Sequence, residues 1–209
     1  MSSIKEKLYI AKKKLTKDWF SFGRRISSPF VRLIFSFQPH NKIKLHLGSG
    51  NEYKEKWINV DNNYNVKADL HTDVLGIKKF IKKNSVSEIL LSHVIGYFTL
   101  WQAKDFFNDI YNMLEDGGLL EIEFPDVKKC SQLLLDSKNE AEYIESIRRF
   151  YAFDTIQLKN REVHLPYKFG WSLDFIELQL VNIGFKVVEM SNSASHNRPH
   201  SDSRIIVKK

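Results

Sequence analysis

The chain has 209 residues, of which 43% are hydrophobic and 27% charged, with nine Gly and five Pro, and this composition excludes a chain that stays unfolded. One cysteine, Cys130, excludes an intramolecular disulfide framework and suits a reducing compartment. Of 32 basic and 25 acidic residues, nine and two fall in residues 1–41; that segment carries the whole formal charge of +7, and a neutral remainder speaks against broad nucleic-acid binding.

Residues 1–41 read as a basic and aromatic N-terminal arm. Ile4, Leu8, Ala11 and Leu15 form one helical stripe among lysines, and Trp19, Phe20 and Phe22 follow. Ser28 and Pro29 then open a second short apolar helix. A basic amphipathic helix followed by clustered aromatics suits an anionic membrane surface, contacted through residues 1–37. The alternative is that the aromatic half packs on its own domain or on a second copy in a homodimer. No run nears the roughly 18 apolar residues of a membrane span, and no signal-peptide pattern follows the first basic stretch. A cytoplasmic protein, lying peripherally on a membrane if the arm binds one, is therefore expected.

Residues 42–209 alternate strand and helix patterns. Strands are expected over 43–47, 57–60, 86–91, 119–124, 185–190 and 204–208. Helical spacing marks 77–83 and 127–136, as well as 139–153 and a segment from Ser172 to about Asn182 closed by Gly184. Trp101–Leu114 also reads as a helix, with Trp101, Phe106, Ile110, Met113 and Leu114 on its apolar stripe and Asp116-Gly117-Gly118 as its C-terminal stop. The fold class is α/β: a Rossmann-like, seven-stranded, mostly parallel sheet with an antiparallel last strand and helices on both faces.

In such a sheet ligands bind outside the carboxyl ends of the strands, where the strand order reverses. The first strand ends in Leu47-Gly48-Ser49-Gly50, where glycines let a ligand approach the backbone. Asp61 ends the second strand and suits two ribose hydroxyls; Asp73 follows in the next turn, where a carboxylate can accept from an adenine amino group. A nicotinamide dinucleotide is poorly supported. Its fingerprint needs a third glycine where Tyr53 stands, and its acidic residue about 20 residues on, whereas Asp61 follows Gly50 closely.

Read in order, the sequence shows Leu45-His46-Leu47-Gly48-Ser49-Gly50, Trp57-Ile58-Asn59-Val60-Asp61, Ala68-Asp69, Thr72-Asp73 and Leu91-Ser92-His93. Gly117-Gly118 and Pro125-Asp126 follow. This ensemble resembles the class I S-adenosylmethionine-dependent methyltransferases of the type 11 kind, a group that often accompanies glycan and cell-envelope biosynthesis. The resemblance covers about residues 42–209 and implies S-adenosylmethionine as cofactor. It implies that Gly48 and Gly50 cradle the methionine moiety, Asp61 holds the ribose, Asp73 lies near adenine, and Leu91–His93 line the reacting end. Where that group has Glu-His after the Ser-His motif, this chain has Gly96-Tyr97, and Lys56 replaces the glycine before Trp57.

Three residues are candidates for taking a proton from the methyl acceptor: His93, Asp126 and His164. Each has a plain structural reading too: a strand-end histidine, a cap for the helix from Val127, and a loop residue. With no HExxH and one Cys, no metal is expected. The function this points to is O-methylation of a sugar, glycan or other small hydroxyl acceptor. The alternatives are a nucleic-acid or protein methyltransferase using the basic arm, or a non-catalytic scaffold of the same fold. Nucleic acid is the less favoured partner, because the basic residues lie outside the main domain.

Overall fold

The computed structural model describes residues 42–152, 166–192 and 198–209. The arm and His164 lie outside the described residues. Seven strands form one sheet: β1 (Ile43–Leu47), β2 (Ile58–Asp61), β3 (Leu70–His71), β4 (Val86–Ser92), β5 (Leu114–Pro125), β6 (Lys186–Ser191) and β7 (Asp202–Lys208). Their order is β3-β2-β1-β4-β5-β7-β6. All neighbouring pairs are parallel except those of β7, which runs antiparallel to both β5 and β6. The order reverses between β1 and β4, so their carboxyl ends frame the crevice in which this architecture binds ligands.

Parallel strands covered on both faces are rich in apolar residues, and the central ones supply most of the core beside a few buried polar groups such as His46, Asn59 and Glu123. Leu45, Leu47, Val60, Ile89, Leu91, Leu120 and Ile122 are buried. Around the sheet lie α1 (Leu100–Met113), α2 (Val127–Leu135), α3 (Glu140–Tyr151) and α4 (Leu173–Ile183). In α1 the residues Ala103, Phe106, Phe107, Ile110 and Met113 recur at helical spacing and are buried; each of the four larger side chains contributes about 1.5–3 kcal/mol relative to exposure. Thr99 and Gln102 cap its start reciprocally, each side chain bonding the other's backbone N–H. Phe107 packs edge-on to Trp171, whose indole N–H donates to the Ile95 carbonyl.

Three expectations need correction. Trp101 is not on the buried stripe of α1; it is 71% exposed, with the Lys104 ammonium over its ring. Asp116-Gly117-Gly118 does not stop α1. Leu114 is already extended, and the three residues lie inside β5, where the register with β4 slips from Val86↔Leu114 to Glu88↔Leu119. A glycine pair accommodates a bulge as well as a cap, so the two signals coincide in sequence. The helix expected over 77–83 is instead a 3-10 helix, Val74–Lys79, started earlier by Asp73 accepting from the Leu75 N–H. The strand β3, which the sequence pattern does not mark, has only two residues, too few to show alternation.

Candidate active site

A cavity of about 600 Å³ opens at the carboxyl ends of β1, β2 and β4. This lies within the roughly 300–1,000 Å³ typical of small-molecule sites. Its lining brings together Gly48, Ser49, Gly50, Asp61, Asp73, Ser92 and His93, seven of the eight residues expected at the cofactor from the sequence. Leu47, the eighth, has its side chain fully buried in the core and is not among the lining residues.

The glycine turn is tied to β2 at both ends. The Gly48 and Ser49 N–H groups donate to the Val60 carbonyl at 2.7 and 3.1 Å. The Gly50 N–H donates to Asp61 Oδ2 at 2.8 Å, and Asn63 N–H to Asp61 Oδ1 at 2.7 Å. Asp61 thus fixes the turn while keeping part of its acceptor capacity, since a carboxylate offers about four lone-pair sites. Gly48 has φ +71, and a Cβ there would sit 2.3 Å from Val94 Cγ2, so both the backbone and the space require glycine.

Below the turn, Asn59 is fully buried and holds the loop over 51–57. Its amide donates to the Lys54 and Trp57 carbonyls and to Asp69 Oδ2, while its Oδ1 accepts from Lys54 N–H. Asp69 also accepts the Tyr53 hydroxyl at 2.8 Å. The residue that replaces a dinucleotide fingerprint's third glycine is therefore an anchor for this loop, which brings Asn51 and Glu52 to the cavity. Lys56 adopts φ +66, a left-handed conformation that costs an L side chain about 1–2 kcal/mol. A glycine there would escape that cost.

Sequence reasoning gave no role to several lining residues: His46, Asn51, Glu52, Asn62, Val74, Val94, Tyr97 and Phe98. His46 is buried against Asn59 (Nδ1 to Oδ1, 3.3 Å), and burial holds its pKa below the usual imidazole value. Its strand alternation with Leu45 and Leu47 reads as core, which hid it.

At the other end of the cavity His93 has φ +57, and its N–H donates to the Glu123 carbonyl on β5. The Ser92 hydroxyl reaches Glu123 Oε2 at 3.4 Å. His93 Nε2 lies 3.2 Å from Oδ2 of Asp202, the first residue of β7, which is fully buried. Burial alone would push the Asp202 carboxyl up. The His93 ring beside it, with the Ser201 hydroxyl, instead holds it below the usual carboxylate range.

Asp126, expected here as an alternative base, does not line the cavity. Its Oδ1 caps α2 through Lys128 N–H, and its Oδ2 accepts from the Leu173 N–H at the start of α4 and from the Ser203 hydroxyl, both at 3.0 Å. It is buried and committed to these donors. This also explains why Ser172 caps α4 without a side-chain bond.

The Gly96-Tyr97 departure has a steric reason. A Cβ on Gly96 would lie 2.6 Å from the Tyr167 ring, and Tyr97 meets that ring edge-on with centroids 4.8 Å apart. The Gly96 carbonyl accepts from Lys168 and Phe169 N–H. Tyr167 thus occupies space that a larger residue at position 96 would need.

Neither a family model nor a curated protein matches the sequence. Among solved structures, the chain is similar to a SAM-dependent methyltransferase from Archaeoglobus fulgidus, with a TM-score of 0.55 and 14% identity over 91% of this chain and 99% of that one. It is also similar to a putative S-adenosylmethionine-dependent methyltransferase from Listeria monocytogenes (TM-score 0.53, 13% identity, 80% of this chain and 91% of that one). A third is the 1,6-didemethyltoxoflavin-N1-methyltransferase of Burkholderia thailandensis, solved with 1,6-didemethyltoxoflavin and S-adenosylhomocysteine (0.51, 8%, 100% and 91%). At these identities the likeness is one of fold.

Proposed function

We propose that the chain is a class I S-adenosylmethionine-dependent methyltransferase that methylates a hydroxyl of a sugar, glycan or other small acceptor. The observation that carries the reading is the cavity at the β1–β4 reversal, where Asp61 clamps the Gly48-Ser49-Gly50 turn and His93 faces the same space. The lining fits such a cofactor. Gly48 leaves a cradle that a Cβ would fill, and the Ser49 hydroxyl is buried there without a hydrogen-bond partner among the described residues. No phosphate-binding feature is needed for a nucleoside without phosphates.

S-adenosylmethionine, when bound, supplies a methyl group already activated on a sulfonium sulfur. Gly48, Ser49 and Gly50 would hold its methionine part, Asp61 the two ribose hydroxyls, and Asp73 the adenine edge. With the methyl group activated, the protein's task is alignment and exclusion of water, effects worth several kcal/mol of barrier. A hydroxyl acceptor must also lose its proton. His93 takes it, a contribution of about 10²–10⁴-fold. Val94, Tyr97 and Phe98 form the apolar wall around that end.

Among the described residues, no helix is long and apolar enough to cross a membrane. We extend the proposal to the arm, whose basic and aromatic composition supports peripheral contact with anionic lipid and hence a glycan acceptor linked to a membrane. The test is transfer of labelled methyl from S-adenosylmethionine to a panel led by deoxysugars and nucleotide sugars. Wild type transfers label to a member of the panel, and Asp61→Ala does not. Equal transfer by both proteins would remove the site assignment.

A further inference from the structure

A smaller cavity, of about 180 Å³, lies at the carboxyl end of β5, beside the one at Asp61. Two pairs of consecutive residues form the partition between them. Gly96 and Tyr151 line the smaller cavity, whereas Tyr97 and Ala152 line the larger one. Ala152 turns the chain out of α3 with φ +56. The far wall is fixed to the same partition: the Lys168 and Phe169 N–H groups donate to the Gly96 carbonyl, and the Trp171 indole N–H to the Ile95 carbonyl. The space is therefore preformed, as small-molecule sites usually are. An apolar cavity of about 150 Å³ holds benzene, so this one has room for a single six-membered ring.

Phe124, Phe150, Tyr151, Tyr167, Phe169 and Trp171 supply aromatic walls. Arg149 and Lys168 add two cations, and among the described residues no Asp or Glu lines the space. Arg149 is paired with Glu145, but Lys168 has no ion pair among the described residues. At the partition the Tyr97 and Tyr167 rings meet edge-on, and neither hydroxyl is hydrogen-bonded among the described residues. Burial pushes both phenols up, so they stay protonated donors at neutral pH. A tyrosine hydroxyl taken out of water generally finds a partner, so two unused donors at one junction point to an oxygen-bearing ligand there.

We propose that the smaller cavity is the acceptor subsite, that it takes a single ring carrying a negative charge, and that Lys168 and Tyr167 determine this specificity. This rests on the methyltransferase reading above and narrows its acceptor. The ring lies against the aromatic walls, Lys168 pairs its anionic substituent, and its hydroxyl is directed across the Tyr97–Tyr167 junction toward the larger cavity. An acceptor of fused rings exceeds the volume, and a neutral ring leaves the Lys168 ammonium without a counter-charge. An aryl carboxylate and a pyranose uronate share this chemistry, since each presents a ring face to aromatic side chains and one carboxylate to a cation.

The test is calorimetric titration of the full-length protein, in the presence of S-adenosylhomocysteine, with two matched pairs: para-hydroxybenzoate and para-hydroxybenzamide, then galacturonate and galactose. The acid of at least one pair is expected to bind about tenfold more tightly than its neutral partner, the effect of one charge-assisted contact. The pair that shows the preference tells an aryl acceptor from a sugar. Lys168 is exposed, so Lys168→Glu keeps the fold, and it should remove the preference. Cys130→Leu fills the cavity and should weaken the acid about tenfold or more, with S-adenosylhomocysteine affinity kept within about twofold. Equal affinity for acid and neutral partner, or an unchanged preference in Lys168→Glu, would overturn the proposal. If S-adenosylhomocysteine binds and neither acid does, the subsite fails while the cofactor reading stands. If an acid binds with a preference that depends on Lys168 but S-adenosylhomocysteine does not bind, the cofactor reading fails and the subsite stands.

Discussion

Replacing Asp126 by Ala separates a structural carboxylate from a reacting one. The side chain satisfies three donors: Lys128 N–H in the first turn of α2, Leu173 N–H in the first turn of α4, and the Ser203 hydroxyl on β7. Each lost cap costs about 1 kcal/mol, and a buried donor left unpaired raises its share toward 1–3 kcal/mol. With the residue only 3% exposed, water can do little to replace these bonds. The total is about 3–5 kcal/mol. Urea unfolding followed by far-UV circular dichroism reads this as a midpoint lowered by roughly 1–2 M at a slope of about 2–3 kcal/mol/M. Asp126→Asn keeps an acceptor oxygen and is expected to fall between Ala and wild type. S-adenosylhomocysteine affinity should be unchanged at urea-free, low temperature, where the variant remains folded. An Asp126→Ala protein with the wild-type midpoint but no methyl transfer would refute this reasoning and return Asp126 to the reaction.

Other outcomes follow from single residues. Lys56→Gly relieves the φ +66 strain and should stabilise by about 1 kcal/mol, less than the full left-handed cost because glycine is also freer when unfolded; a lowered melting temperature would contradict it. His46 has its pKa held down by burial, so the unfolded chain binds more protons as pH falls below the ordinary value of 6.5. Its contribution to stability is therefore present above that value and is lost on acidification toward the lowered one, which urea midpoints at pH 7.5 and 5.5 should show and a His46→Gln variant should lack. Cys130 is buried and its thiol is pushed up to about 12, so it should resist alkylation at pH 8 in native protein and react once urea unfolds the chain. Finally, deletion of residues 1–37 should abolish sedimentation with anionic vesicles while leaving neutral vesicles unbound in either form; equal behaviour of full-length and truncated protein would exclude lipid contact.

The parts of this molecule that could be read from the sequence are those written locally. The Gly48-Ser49-Gly50 turn, Asp61 and Asp73 each follow directly on a strand or turn, and the reversal of strand order brings such ends together. Asp202 could not be found that way. It meets His93 because β7 runs antiparallel beside β5, so the start of one strand lies beside the end of another. The antiparallel final pair was readable, but not which strand it would dock against. Asn59 and Asp69 were visible as motif residues without a reason; the reason is a network of backbone carbonyls and N–H groups in a loop that has no periodicity. Asp116-Gly117-Gly118 misled because a glycine pair after an apolar helix marks a cap and a bulge equally well.

The central claim is that the cavity at Asp61 takes an adenosyl-sulfonium cofactor rather than a dinucleotide. Isothermal titration of the full-length protein with S-adenosylhomocysteine, and in parallel with NAD, tests it most directly. The account predicts saturable binding of S-adenosylhomocysteine at one site per chain, weakened at least tenfold (about 1.4 kcal/mol) in Asp61→Ala, and no binding of NAD. Binding of NAD in preference to S-adenosylhomocysteine, or binding of neither, would contradict it.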